Sequence, residues 1–164
     1  FQPFASSESS IRWCAEEGVT AILPPLHPVR EEALFELYAE VSGQQRGAGL
    51  GVLRDVIIAD TDEEARALWR DSGAFVGAAW FEPFGFSRGM VHPETGETAD
   101  LFENGLALVG TVDTVCRQLE TLLERLPVDW LFCWTYNALV PHEVLMRSIE
   151  RFYSEVLPRF EGSR

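Results

Sequence analysis

The run LGVLRDVIIA at residues 50–59 is almost wholly apolar, and the next ten residues, DTDEEARALW, turn acidic and then helical. A strand without alternation of apolar and polar residues needs cover on both faces, as in a parallel sheet flanked by helices. VTAIL (19–23) is a second run of this kind, closed by Pro24-Pro25.

The rest of the chain keeps the same rhythm. FQPFA (1–5) reads as extended. Residues 8–17 read as a helix with Ile11, Cys14 and Ala15 on one face and Gly18 as its stop. Residues 29–42 carry Ala33, Leu34, Leu37, Tyr38 and Val41 at helical spacing. A helix from DTDEEARALW (60–69) is capped by Asp60 or Thr61, with Asp62, Glu63 and Glu64 at its positive end, and the pattern extends it through AFVGAAWF (74–81). LALVG leads into TVDTVCRQLETLLER, where Thr111 is the cap and Val115, Leu119, Leu122 and Leu126 form the stripe. DWLFCW (129–134) is the last strand and 142–157 the last helix. Strands alternating with helices imply parallel pairing and an α/β fold. Between residues 83 and 105 lies a long irregular stretch of Gly, Pro, polar residues and Phe, long enough to serve as a lid.

With 164 residues, 46% of them hydrophobic, the chain suits one domain, 1–164, with a real core. Thirteen Lys+Arg against 26 Asp+Glu give a net charge of −13, which argues against nucleic acid and anionic membranes as partners. No apolar run reaches membrane-spanning length, and no basic-then-apolar leader precedes the first strand. Cys14, Cys116 and Cys133 are scattered within apolar segments, which suits buried thiols in a reducing cytoplasm rather than disulfides or a zinc site. The chain opens on Phe1 rather than Met, as a processed protein or a piece of a longer one does.

Several motifs fail on context. GAGLG (47–51) precedes a strand, whereas a dinucleotide fingerprint follows one, so it reads as a helix-to-strand turn. His27, His92 and His142 lack metal-ligand spacing. Trp13, Trp69, Trp80, Trp130 and Trp134 read as packing residues, with Trp134 ending a strand where a site could lie. No residue stands out as a catalytic acid, base or metal ligand.

Four of the five residues from Ser6 to Ser10 are serine, and they stand where an extended segment enters a helix. The first helical turn has free N–H groups and a partial positive charge suited to phosphate. Ser7 and Ser10 are three apart and can face one anion; simple helix capping is the competing reading, and Glu8 opposes an anion. In barrels a common phosphate position lies near the last strands, so Gly110-Thr111 is a rival location.

SSESSIRWCAEEGVTAIL resembles the segment after the fifth strand of the bacterial luciferase-like monooxygenases, with a Ser/Thr-rich turn, a helix end and an apolar strand. LYAEV around Tyr38, VIIADTDEEARA, LVGTVDTV (Val112 where Pro is usual) and SIERFYSEVLPRF resemble further family segments in the same order. The resemblance implies the C-terminal half of a (β/α)8 TIM barrel, strands five to eight with their helices, and makes 83–105 the family's variable insertion near the site mouth. It implies a flavin-dependent monooxygenase that uses reduced FMN, or a deazaflavin, with O2 to oxidise a small organic substrate. A flavin reductase would be a further partner. It assigns the flavin phosphate to Ser6, Ser7 and Ser10, and makes Pro24 and Pro25 lining. A half-barrel leaves sheet edges uncovered, which implies a homo-oligomer or a missing N-terminal half, inactive when isolated. A non-catalytic flavin or phosphate binder and a purely structural half-barrel are the alternatives.

Overall fold

The computed structural model describes residues 2–76, 82–84, 89–135 and 139–160. Four parallel strands alternate with helices: α1 (Glu8–Glu16), β1 (Ala21–Leu23), α2 (Pro28–Ser42), β2 (Leu50–Ile58), α3 (Asp62–Val76), β3 (Ala107–Gly110), α4 (Val112–Arg125), β4 (Trp130–Trp134) and α5 (His142–Arg151). The expected α/β alternation is thus present. The expected first strand is reduced to one parallel bridge, Phe4 to Ile22.

Strand β2 organises the sheet, because it pairs with all three others. Gly51 is opposite both Ile22 and Trp130, and Asp55 is opposite both Ala107 and Trp134. A strand has two edges, so β4 runs along one edge while β1 and then β3 share the other. β1 ends opposite Val52 and β3 begins opposite Asp55, which leaves a gap on that edge beside Leu53 and Arg54.

Side chains alternate across a strand, and packing shows which face is which. Leu50, Val52, Val56 and Ile58 join one buried core with Ile11, Leu34, Phe35, Val115, Leu119 and Leu122 from α1, α2 and α4. Ile57 and Ala59 face the other way and join a smaller cluster with Ala65, Ala107, Val109 and Leu145. The helices on the first face form because their apolar stripes need this cover. The expected stripes of α1 and α4 are buried, and Thr111 caps α4 by accepting from the Thr114 N–H.

Three readings change. LALVG is a strand in its own right; its short apolar run flows straight into a cap, which hides it from periodicity, and its partner is the far half of β2. The last helix is regular only to Arg151, then widens into a π turn at Phe152–Val156 and a 3-10 turn at Leu157–Arg159. Pro158 has no N–H to continue the ladder, and the wide turn brings Phe152 and Val156 into the core. Trp13 and Trp130 are not packed inside: they are 48% and 52% exposed. The predicted extension of α3 beyond Val76 lies outside the described residues, as does Trp80. Cys14 and Cys116 are buried and Cys133 is part-buried, all as free thiols; burial lifts Cys133 to about 11, so it stays a neutral thiol.

Candidate functional site

The loops that follow the strands gather at one end of a parallel sheet, where such folds bind ligands. The serine turn lies at this end, after Ala5, whose N–H donates to Ile22 O at 2.9 Å. Ser7 is the N-cap of α1 and closes a reciprocal box with Ser10. The Ser10 N–H donates to Ser7 Oγ at 3.3 Å, the Ser7 N–H donates to Ser10 Oγ at 3.2 Å, and Ser10 Oγ donates to Ser7 O at 2.9 Å. Ser7 Oγ also lies 3.1 Å from Ser9 Oγ.

This geometry sorts the serines. The Ser10 hydroxyl spends its proton inside the turn. The outward donors are the Glu8 and Ser9 amides and the hydroxyls of Ser6, Ser7 and Ser9, all on exposed residues. That set fits a phosphate: hydroxyls and amides converge at the positive end of a helix dipole, with Ser10 holding the shape. Glu8 is the one opposing charge in the first turn.

The starts of α3 and α4 are already served. Helix α3 opens with Asp62, Glu63 and Glu64. The rival position at Gly110-Thr111 holds a carboxylate from within: Asp62 Oδ1 accepts from the Thr111 N–H at 2.7 Å, and Oδ2 accepts from Thr114 Oγ1 at 2.9 Å. A Cβ on Gly110 would lie 2.7 Å from that Oδ1, so glycine there admits the carboxylate. The Thr111 N–H, with smaller help from the threonine hydroxyls, holds the Asp62 carboxyl below its usual range, against burial, which raises it. Asp62→Ala should therefore cost about 1–2 kcal/mol, as a lost cap does. The Asp62 contribution is full above a pH of about 3.9 and fades as pH falls through the lower folded value. Acid titration of both proteins, followed by circular dichroism, should show the wild-type advantage shrinking below that pH.

Part of the predicted lid is seated on this end. Residues 89–98 form a small turn closed by an antiparallel bridge between Val91 and Thr98. The His27 N–H donates to Gly89 O at 2.7 Å, and Arg30 Nε donates to Val91 O at 3.2 Å. The His27 and His92 rings meet edge to face with centroids 4.9 Å apart. Each ring accepts backbone amides at Nδ1: His27 from Val29, His92 from Glu94 and Thr95. His27 is therefore a neutral imidazole with the proton on Nε2. Burial, then His92, Arg30 and Arg125, push His27 below its usual pKa, while Glu97 acts in the opposite sense. A depressed histidine leaves stability complete above about pH 6.5 and erodes it as pH falls toward the folded value. Lowering pH from 7 to 5 should lower the protection factor of the Val29 amide, measured against the intrinsic exchange rate at each pH, ahead of those of the strand amides. Uniform exchange across the protein would contradict this.

Beneath that loop lies a buried ion cluster that sequence reading did not find. Glu31 and Arg54 are both fully buried, and Arg54 Nη2 donates to Glu31 Oε1 at 2.8 Å and Oε2 at 3.0 Å. Arg125 Nη2 donates to Glu31 Oε2 at 2.8 Å, and the Leu26 N–H donates to Oε1 at 3.2 Å. Arg54 also donates to Gly105 O at 2.7 Å and Leu53 O at 2.8 Å. These bonds stitch the gap between β1 and β3 and fix the β1–α2 loop that carries Pro24, Pro25 and His27. The signals available were an arginine inside an apolar strand and a glutamate on the inner side of a helix.

Among the described residues no group of three His, Cys, Asp or Glu could hold a metal ion, and no helix is long and apolar enough to cross a membrane.

No family model and no curated protein matches the chain by sequence. Solved structures do match by fold. The monooxygenase RslO1 from Streptomyces bottropensis superposes with a TM-score of 0.75 at 17% identity, covering 96% of this chain and 47% of that one. The oxygenating constituent of 3,6-diketocamphane monooxygenase from Pseudomonas putida, a type II Baeyer-Villiger monooxygenase solved with FMN, gives 0.73 at 22% identity over 96% and 47%. The coenzyme F420-dependent tetrahydromethanopterin reductase from Methanopyrus kandleri gives 0.56 at 17% identity over 98% and 50%. The chain thus spans about half the length of the structures it matches. Its fold is half of a (β/α)8 barrel, the half it shares with these solved structures.

Proposed function

We propose that this chain is the flavin-phosphate-binding half of a flavin-dependent monooxygenase, and that the turn of Ser6, Ser7 and Ser10 holds the FMN phosphate. The observation that carries the reading is the full-length fold match to half of two monooxygenases, one of them solved with FMN. The serine turn supports it, because the start of α4 is filled by Asp62 while that of α1 keeps outward donors. Ser6 and Ser7 touch the phosphate; Ser10 acts by holding the turn. Reduced FMN would supply the oxygen-activating chemistry for a small organic substrate; a deazaflavin in its place would supply hydride transfer instead. The protein would orient the ring and exclude water. The whole enzyme would work in the cytoplasm with a flavin reductase. The free edge of β4 would pair with a second copy or with further strands.

The reciprocal capping box favours a second reading, in which the serines only cap α1 and the half-barrel is structural. Titrating the chain with FMN and with riboflavin, followed by flavin fluorescence, separates the two. The phosphate reading expects FMN to bind at least tenfold tighter than riboflavin, the worth of about one hydrogen bond to a charged group. Ser7→Ala should erase most of that preference and cost about 1 kcal/mol of stability through the lost cap. Equal affinity for the two flavins would refute the phosphate site, and an unchanged preference in Ser7→Ala would remove Ser7 from it.

A further inference from the structure

Residues 89–99 fold back on themselves and rest on the β1–α2 loop. Inside this segment the His92 N–H donates to Glu97 O at 2.8 Å, the Gly96 N–H to His92 O at 3.1 Å and the Ala99 N–H to Met90 O at 3.4 Å. From Asp100 the chain is fixed separately, because Asp100 Oδ1 accepts from the Phe102 and Glu103 amides, both at 2.9 Å. The contacts that dock the segment converge on His27 and its neighbours. The His27 N–H donates to Gly89 O at 2.7 Å, Arg30 Nε donates to Val91 O at 3.2 Å, and the His27 and His92 rings meet at 4.9 Å. Gly89 packs so close to Leu26 that a Cβ there would lie 2.6 Å from Leu26 Cδ2.

His27 is buried, and charged groups face it from three elements. The docked segment brings His92 and Glu97, α2 brings Arg30, and the end of α4 brings Arg125. Burial first, then His92, Arg30 and Arg125, disfavour a proton on the His27 ring; Glu97 favours one. The ring also accepts from the Val29 N–H at Nδ1, so a proton on that atom would face another N–H. Lifting residues 89–99 away re-exposes the ring and removes His92, and it takes Glu97 away too. The undocked ring therefore accepts a proton more readily than the docked one, and proton uptake draws the segment off.

We propose that residues 89–99 are an acid-released strap, which covers the β1–α2 loop while His27 is neutral and leaves it when His27 takes a proton. The strap goes beyond the flavin-phosphate reading and works whether or not the barrel binds flavin. A single proton separates the docked and released states. Docking therefore weakens by up to about tenfold for each pH unit below about 6.5, until the docked ring titrates as well. The part uncovered is a loop at the end of the sheet where parallel α/β folds bind ligands.

Amide hydrogen exchange of the whole chain, read by NMR at pH 7.5 and 5.5 as protection factors against the intrinsic rate at each pH, tests this. The His27 N–H reports docking directly, through its bond to Gly89 O. Its protection should fall by about threefold to tenfold at pH 5.5 while the strand amides hold theirs. His27→Asn keeps an acceptor for the α2 cap but cannot take the proton, so the amide at position 27 should be equally protected at both pH values. Glu97→Gln keeps an acceptor for Thr95 Oγ1, which donates to Glu97 Oε2 at 3.3 Å, and removes the carboxylate that opposes release. Its loss at pH 5.5 should be deeper than that of the wild type. A His27 amide unchanged by pH in the wild type overturns the strap, even where Val29 loses protection, since His27 would then loosen only its own cap. The same fall in His27→Asn overturns it too, because another group would be titrating. A fall shared equally by the strand amides would be acid unfolding of the chain and likewise excludes the strap.

Discussion

Arg54→Met should lower the unfolding free energy by about 3–5 kcal/mol, the usual cost of leaving one partner of a buried pair without the other. That is about a fifth or more of the stability of a typical domain. The side chain has no exposed surface, and its guanidinium meets the Glu31 carboxylate and two backbone carbonyls. Methionine fills much of the volume but strands Glu31 in the core, with Arg125 and the Leu26 N–H as its remaining partners. Arg54→Lys should recover little, because one ammonium cannot reach Glu31, Gly105 O and Leu53 O together. Urea unfolding measures all three proteins, with an unchanged slope showing that stability alone has moved. The exposed Arg159–Asp113 pair is the control: it has the same 2.8 Å separation as Arg54–Glu31 but lies open to water. Its removal should leave the midpoint where it was. A loss below about 1 kcal/mol for Arg54→Met would show that the cluster contributes shape rather than stability.

The same cluster marks the limit of what could be read from residues alone. Local signals were legible. The apolar stripe of α4, its Thr111 cap, the run that forms β2 and the Ser7 cap each depend on neighbours within four residues. Their sum gave the alternation and hence the parallel sheet. What remained hidden depends on partners far apart in sequence. Arg54 looked like an interruption of a strand; it bridges a gap that exists only because β1 and β3 share one edge of β2. Asp62 was read as a charge on its own helix dipole, yet its carboxylate caps a helix 49 residues later. His27 and His92 looked isolated because nothing local shows that residues 89–98 dock on the β1–α2 loop. The serines were found from composition, but the division between Ser10 as a structural hydroxyl and Ser7 as an outward one needed coordinates. Asp55, too, finds its partner at a distance: Trp69, brought over by α3, donates to its Oδ2.

Gly47→Ala should be among the most damaging single-methyl changes in this chain, while Gly43→Ala should be mild, although both glycines stand at positive φ, +89° and +68°. Gly43 ends α2 in the left-handed conformation and has open space around it, so alanine there meets only the backbone penalty of about 1–2 kcal/mol. Gly47 lies in the turn that leads into β2, and a Cβ there would fall 1.5 Å from Pro127 O. Backbone cannot step aside as a side chain can. The turn is also tied to its neighbour on both sides, by Arg46 Nη1 to Arg125 O at 2.8 Å and by the Gly49 N–H to Asp129 Oδ2 at 3.0 Å. Relieving the clash therefore means separating the turn before β2 from the turn before β4 and breaking those bonds. The Asp129 N–H to Leu50 O bond, 3.0 Å long, goes with them and starts the β2–β4 ladder. The combined cost is about 4 kcal/mol or more, the range reached when strain and lost bonds coincide. Thermal unfolding of the two alanine proteins side by side checks it. Equal midpoints would mean that the two turns can part freely, and that the β2–β4 register is held by the strands alone.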